Sequence, residues 1–147
     1  GVTGKTVFGG HNIGVEADIT IDEMDLTDLE MIVLPGGMPG TTNLDASPTV
    51  ERALELAAAK GSYLCAICAA PLVLGKRGYL NGKRATCYPG FESELTGATV
   101  TDESVVTDGN ITTARGMGVA LDFSKELISL LVTKEKAEEL SSAIMEK

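Results

Sequence analysis

The chain has no tryptophan, three tyrosines, three phenylalanines and one histidine, His11. Aromatics make up only 4% of its 147 residues, so the core must rest on aliphatic side chains and alanine. Positive charge is also scarce. Twelve lysines and arginines stand against 21 aspartates and glutamates, a formal net charge of −9. That balance argues against nucleic acid as a partner, since sequence-independent binding needs a basic surface, and against docking on anionic membranes. No apolar run approaches a membrane span and no signal-peptide pattern opens the chain, so the expected compartment is the cytoplasm. Cysteine is sparse and odd in number: Cys65, Cys68 and Cys87. Such a set fits a reducing compartment, not a disulfide scaffold. With one histidine beside them, no closed zinc site is expected, and neither a metal nor another cofactor is assigned.

What is present is 44% hydrophobic residues and 17 glycines in a single-domain length. That is enough apolar chain to bury a core joined by tight turns. No repeat or linker divides it, so residues 1–147 read as one domain. Val2 to Phe8 predicts short extended structure, ended by Gly9-Gly10. Gly14 to Ile21 alternates Val15, Ala17 and Ile19 with polar residues and predicts a strand with one wet face. Met31 to Leu34 is an apolar run stopped by Pro35-Gly36-Gly37 and predicts a strand buried on both faces. Ser47-Pro48 starts a helix through Val50, Leu54 and Ala57 that stops near Gly61. Ser62 to Ile67 predicts a second buried strand, followed by a helix from Ala69 or Ala70 to about Lys76. A strand at Arg84 to Cys87 comes next, then a hairpin of Ser104 to Asp108 and Asn110 to Ala114 about Gly109. Phe123, Leu127, Leu130 and Leu131 keep helical spacing from Val119 to Val132, and Thr133 caps a last helix with Ala137, Leu140 and Ile144. Alternating strands and helices predict an α/β fold, a mostly parallel sheet with helices on both faces and chemistry at the carboxyl ends of its strands.

One such end carries the strongest chemical signal. In Tyr63-Leu64-Cys65-Ala66-Ile67-Cys68-Ala69-Ala70-Pro71 a buried strand runs into a helix with Cys68 at the junction. This is the logic of the nucleophile elbow, which needs small residues two places either side; Ala66 and Ala70 satisfy it. Pro71 suits a first helical turn, where no N–H is needed. Unpaired N–H groups and the positive helix end favour the thiolate of Cys68. The N–H of Ala69 and a donor from Gly36-Gly37 at the neighbouring strand end could form an oxyanion hole. The blander reading makes Cys68 a small core residue.

Cys65 forms a C-x-x-C pair with Cys68, but odd spacing inside a strand turns it to the opposite face, so it reads as a packed core thiol. Cys87 ends a predicted strand and reads as core or rim packing, with a resolving role as the alternative. His11 reads as a loop or subunit-contact residue. No imidazole follows Cys68, although a cysteine hydrolase generally needs one. Arg115-Gly116-Met117-Gly118 lacks the third glycine of a dinucleotide fingerprint and reads as a loop bordering the cysteine. The acidic run from Asp22 to Glu30 reads as solvated surface.

Ala66-Ile67-Cys68-Ala69-Ala70-Pro71, preceded by Val33-Leu34-Pro35-Gly36-Gly37, resembles the ThiJ/PfpI superfamily, in the branch of the parkinsonism-associated deglycase and its bacterial relatives. Thr113 to Gly118, followed by Leu121-Asp122-Phe123, resembles that branch's third landmark. The similarity spans nearly the whole chain. It implies a flavodoxin-like three-layer sandwich, a homodimer, and a reactive cysteine that oxidises readily to sulfinic acid. Carried over, Cys68 is the nucleophile, the Gly37 and Ala69 amides are oxyanion donors, and Gly36, Tyr88, Arg115, Gly116 and Met117 line the site. The implied activity is glyoxalase or deglycase chemistry on a small carbonyl substrate. The alternatives are an oxidative-stress sensor or chaperone without turnover, a dimeric scaffold with a vestigial site, or the thiazole monophosphate biosynthesis label that bacterial members carry.

Three departures qualify the resemblance. Ala69 stands where PfpI-type proteases have a histidine, which disfavours protease activity. Tyr88 precedes Pro89 where the branch's human member has a histidine, and a phenol is a poor base at neutral pH. Met117 replaces a usual proline, which would leave a softer, oxidisable rim. The family also begins with a strand and a helix, the latter carrying a glutamate hydrogen-bonded to the thiol, and no residue here matches it. The expectation is an N-terminally incomplete domain, completed by a separate N-terminal segment that supplies the proton partner.

Overall fold

Short apolar segments form the central sheet. The computed structural model describes residues 1–146. The chain opens with β1 (Thr6–Phe8) and β2 (Gly14–Glu16), an antiparallel pair apart from the main sheet. Then follow β3 (Met31–Leu34), α1 (Gly40–Asp45), α2 (Pro48–Lys60), β4 (Tyr63–Ile67) and α3 (Pro71–Lys76). The remaining elements are β5 (Arg84–Ala85), β6 (Thr99–Val100), β7 (Val105–Asp108), β8 (Ile111–Ala114), α4 (Ala120–Leu131) and α5 (Lys134–Ala143).

The main sheet runs β3-β4-β8-β7. β3, β4 and β8 are parallel, with Leu34 opposite Ala66 and Ala66 opposite Thr113. β7 returns antiparallel to β8 through Gly109, whose φ of +66° suits glycine. Alternation along β4 sends Leu64 and Ala66 to one face and Cys65 to the other. On the first face they meet Val50, Leu54 and Ala57 of α2 and Leu72, Val73 and Leu74 of α3. On the second, Cys65 and Ala114 meet Phe123 and Leu127 of α4. Helices therefore cover both faces of a mostly parallel sheet, consistent with the flavodoxin-like arrangement. No helix among the described residues is long and apolar enough to cross a membrane.

Local signals hold where expected. Ser47 Oγ accepts from Val50 N at 3.3 Å, and Gly61 ends α2 at φ +75°. Thr133 caps α5 by accepting from Lys136 N. Four expectations need correction. The run Met31–Leu34, expected to be buried on both faces, is an edge strand of the main sheet, and Val33 is 45% exposed because its outward face is uncovered among the described residues. The strand expected over Gly14 to Ile21 stops at Glu16, and Val15 is 59% exposed, because β1 alone pairs with it. The extended stretch expected from Val2 begins at Thr6. The strand expected to reach Cys87 ends at Ala85, because Thr86 N–H turns from the β6 ladder to Thr113 Oγ1, at 2.9 Å.

α1 was not expected. Its Gly, Thr, Asn and Asp residues are weak helix formers, and tertiary contacts hold it. Thr41 is fully buried and its hydroxyl donates to Gly37 O at 3.0 Å. At the other end Asp45 accepts from Arg77 at 2.5 Å and from Lys76 at 3.1 Å, tying α1 to the end of α3. Partial burial pushes the Asp45 carboxyl up, but the Arg77 and Lys76 hydrogen bonds outweigh it and hold the group below its ordinary range.

Candidate active site

β4 delivers Cys68 at its carboxyl end, between β3 and β8. Residues 68–70 form a tight turn before α3 starts at Pro71. Cys68 takes φ +66°, in the left-handed region, where a non-glycine residue costs about 1 kcal/mol. Two hydrogen bonds hold that conformation: Cys68 N–H donates to Ala114 O at 2.8 Å, and Tyr88 N–H donates to Cys68 O at 2.8 Å. This is a strained strand-to-helix elbow, with strain at the residue that carries the thiol. The following helix is six residues long and opens at Pro71, one or two residues later than the expected start at Ala69 or Ala70.

The glycine pair ending β3 abuts the elbow. A Cβ placed on Gly36 would lie 2.5 Å from Ile67 O, 2.6 Å from Cys68 Cβ and 3.1 Å from Ala69 N. Only glycine allows β3 and the elbow to approach this closely. Gly37 has φ +85°. Among the described residues, neither Gly37 N–H nor Ala69 N–H has a backbone acceptor, so neither donor is committed to the backbone.

The other expected residues fall into two groups. Tyr88 joins Cys68 through its backbone, and its ring packs over Gly116, 3.4 Å from where a Cβ there would sit. Arg115 is held by Asp102: its guanidinium donates to Asp102 O at 3.0 Å and pairs with the Asp102 carboxylate at 3.5 Å. Met117 is 91% exposed and opens a 3-10 turn, so it is a rim residue at most.

The two remaining thiols are buried. Burial pushes Cys65 up to about 11, against hydrogen bonds from Thr112 that lower it. Burial, then the Glu92 carboxylate, then Cys68, push Cys87 up to about 11, against the Phe91 N–H and the Arg115 charge. Cys68 is the cysteine with partial exposure.

Residue reading alone missed two neighbours of the cysteines. Thr113 anchors the segment that carries Cys87 and Tyr88. Glu92 places a carboxylate near Cys87. His11 is exposed in a loop, as expected, and lines a cleft of about 610 Å³ that also includes Phe8, Pro35 and Gly36. No motif linked those distant segments. Among the described residues no cluster of His, Cys, Asp and Glu suits a metal ion.

The profile of the DJ-1/PfpI family matches residues 1–130. The chain belongs to the DJ-1/PfpI family. It is 41% identical over 138 residues to Protein DJ-1 homolog A of Arabidopsis thaliana, covering 92% of this chain and 35% of that protein. Against DJ-1 homolog B of the same plant it covers 31%, so the chain spans about a third of these plant relatives. It is 31% identical to Deglycase PH1704 of Pyrococcus horikoshii, over 86% of this chain and 76% of that one. The crystal structure of Drosophila melanogaster DJ-1beta superposes with a TM-score of 0.93 at 32% identity, covering 99% of this chain and 80% of the other. The residues matched by the DJ-1/PfpI profile include the Gly36-Gly37 strand end, the Cys68 elbow and the Arg115 loop.

Proposed function

We propose that this DJ-1/PfpI protein is a cysteine-dependent enzyme acting on small reactive carbonyls, with glyoxalase or deglycase-type chemistry. The observation that carries the reading is Cys68 held at φ +66° against the Gly36 strand end, with the Gly37 and Ala69 N–H groups uncommitted to the backbone. The name deglycase on the archaeal relative agrees with it. The Cys68 thiolate attacks an aldehyde carbon. A C–S bond forms while the carbonyl π pair moves onto oxygen, and the Gly37 and Ala69 N–H groups stabilise that oxyanion. Protonation gives a hemithioacetal. For methylglyoxal, a proton shift and hydrolysis then give a hydroxy acid and free thiol, with no external oxidant.

The proton partner of Cys68 is proposed to come from a further segment, of this polypeptide or another. Apolar surface supports this: Val33 of β3 is 45% exposed, and Ile19, Ile32 and Leu44 line a cleft of about 210 Å³ beside it. The proposed working form is a cytoplasmic homodimer. The β1–β2 hairpin exposes Phe8, Ile13 and Val15, a suitable association surface. A monomeric mass in solution at micromolar concentration would remove the dimer.

Comparing methylglyoxal turnover by the chain and by Cys68→Ser tests the enzyme reading. Loss of turnover is expected, and unchanged turnover rejects the mechanism. Partial exposure of Cys68 alone among the three cysteines favours a second reading, a redox sensor or chaperone without turnover. That reading requires peroxide to add two oxygens at Cys68 while no carbonyl is consumed.

A further inference from the structure

The carbonyl chemistry makes no use of Cys87, yet the fold fixes this thiol beside Cys68. Past Ala85 the chain leaves its strand and crosses the end of β4. Thr86 N–H is held by Thr113 Oγ1 at 2.9 Å, and Tyr88 N–H by the Cys68 carbonyl at 2.8 Å. Cys87 sits between these two anchors. A hydrogen bond from the next residue's nitrogen to the Cys68 carbonyl keeps the two Cα atoms within about 7.5 Å by standard backbone dimensions. A disulfide spans Cα separations of roughly 4.4–6.8 Å, so the backbone brings the pair to or near bridging distance. Cys68 also acts electrostatically on Cys87, a second sign of proximity. Cys65 lies inside β4 on the opposite face, against α4.

We propose that Cys87 is the resolving thiol of Cys68: once a hydroperoxide has oxidised Cys68, the two cysteines close an intramolecular disulfide that stops further oxidation. In the first step the Cys68 sulfur attacks the peroxide. An S–O bond forms, the O–O bond breaks, and water or an alcohol leaves with the second oxygen. In the next, the Cys87 sulfur attacks the Cys68 sulfenic acid, the S–S bond forms, the S–O bond breaks, and water leaves. Two thiols lose two electrons and two protons in all, and the hydroperoxide takes them up.

The surroundings of Cys87 set when closure wins. The groups whose charges act on it are Glu92, in the turn after Pro89, Cys68, and Arg115 after β8. Burial first, then Glu92 and Cys68, push its thiol up to about 11. At neutral pH Cys87 is therefore almost entirely thiol and a slow nucleophile, and a second peroxide competes for the sulfenic acid. The thiolate fraction rises about tenfold per pH unit towards 11, so closure gains on over-oxidation as pH rises.

The inference rests on Cys68 as the reactive thiol. The test treats the chain with about two equivalents of hydrogen peroxide, enough for either the disulfide or the two-oxygen product, near pH 7 and near pH 9, then blocks free thiols and maps tryptic peptides by mass. The expected product is lighter by two hydrogens, with the peptide 61–76 linked to the peptide 85–115. The linked fraction should be at least about threefold larger at the higher pH. Linkage should persist in Cys65→Ser, which identifies Cys68 as the partner. Cys87→Ala should instead accumulate the two-oxygen product at Cys68. Wild-type chain that gains two oxygens at Cys68 with Cys87 free at both pH values overturns the inference, as does linkage lost in Cys65→Ser. Methylglyoxal turnover separates the failures: turnover without linkage removes only the resolving role, whereas a Cys68 that neither oxidises nor turns over substrate removes both.

Discussion

On the proposed carbonyl chemistry, replacing Gly36 with alanine should lower methylglyoxal turnover by about a hundredfold or more and destabilise the fold by about 1–3 kcal/mol. The added Cβ meets two atoms that cannot easily give way, Ile67 O at 2.5 Å and Cys68 Cβ at 2.6 Å. Both belong to the elbow, so relief must come from separating the β3 end from the β4 end. That separation moves the Gly37 and Ala69 donors relative to the sulfur, and a displacement of about 1 Å at an oxyanion site costs roughly two orders of magnitude in rate. Gly118→Ala is the control: nothing lies within 4 Å of its added Cβ, and turnover and stability should both stay near wild type. Turnover by Gly36→Ala at the wild-type level would show that the glycine strand end plays no part in the chemistry.

Cys68→Ser should cost about a thousandfold or more in kcat/KM, with little change in fold. Serine is nearly isosteric and keeps the same backbone hydrogen bonds to Ala114 O and from Tyr88 N–H. What changes is the nucleophile. An unassisted hydroxyl is a far poorer one at neutral pH, and no imidazole follows position 68 in the sequence to activate it. Cys65→Ser and Cys87→Ala act differently. Both residues are buried, so these variants should cost stability while leaving the turnover of the folded fraction close to wild type. Circular dichroism under denaturant and steady-state kinetics on the same samples separate the two effects.

The elbow was legible because its requirements are local. Small residues at Ala66 and Ala70, a proline one residue later and an unbroken apolar run before Cys68 leave few other conformations. The sheet strands and the ends of α2 were legible for similar reasons: Ser47, Pro48 and Gly61 each act within one turn. α1 was not legible, since Gly40 to Asp45 disfavours helix and is held by Thr41 against Gly37 and by Asp45 against Arg77, contacts that exist only in the folded chain. The pattern at Gly14 to Ile21 misled in the opposite direction. Alternation shows that one side of a segment is apolar, but not what covers it. Only β1 pairs with β2, and Val15 and Ile19 stay exposed. The same limit applies at the site. Motifs located Cys68, Gly36 and Gly37, but the approach of Cys87, the anchor on Thr113 and the place of His11 by the cleft come from chain crossings that no local pattern encodes.

The most direct test of the account is to titrate the chain with iodoacetamide near neutral pH, following methylglyoxal turnover and the alkylation of each cysteine by peptide mass. Cys65 and Cys87, both buried and pushed up to about 11, should stay unmodified while Cys68 reacts. Turnover should fall in direct proportion to Cys68 alkylation and vanish when one label per chain has been taken up. Turnover that persists with Cys68 fully alkylated, or an unlabelled chain that consumes no methylglyoxal, would contradict the claim that this elbow is the catalytic centre of a carbonyl-directed enzyme.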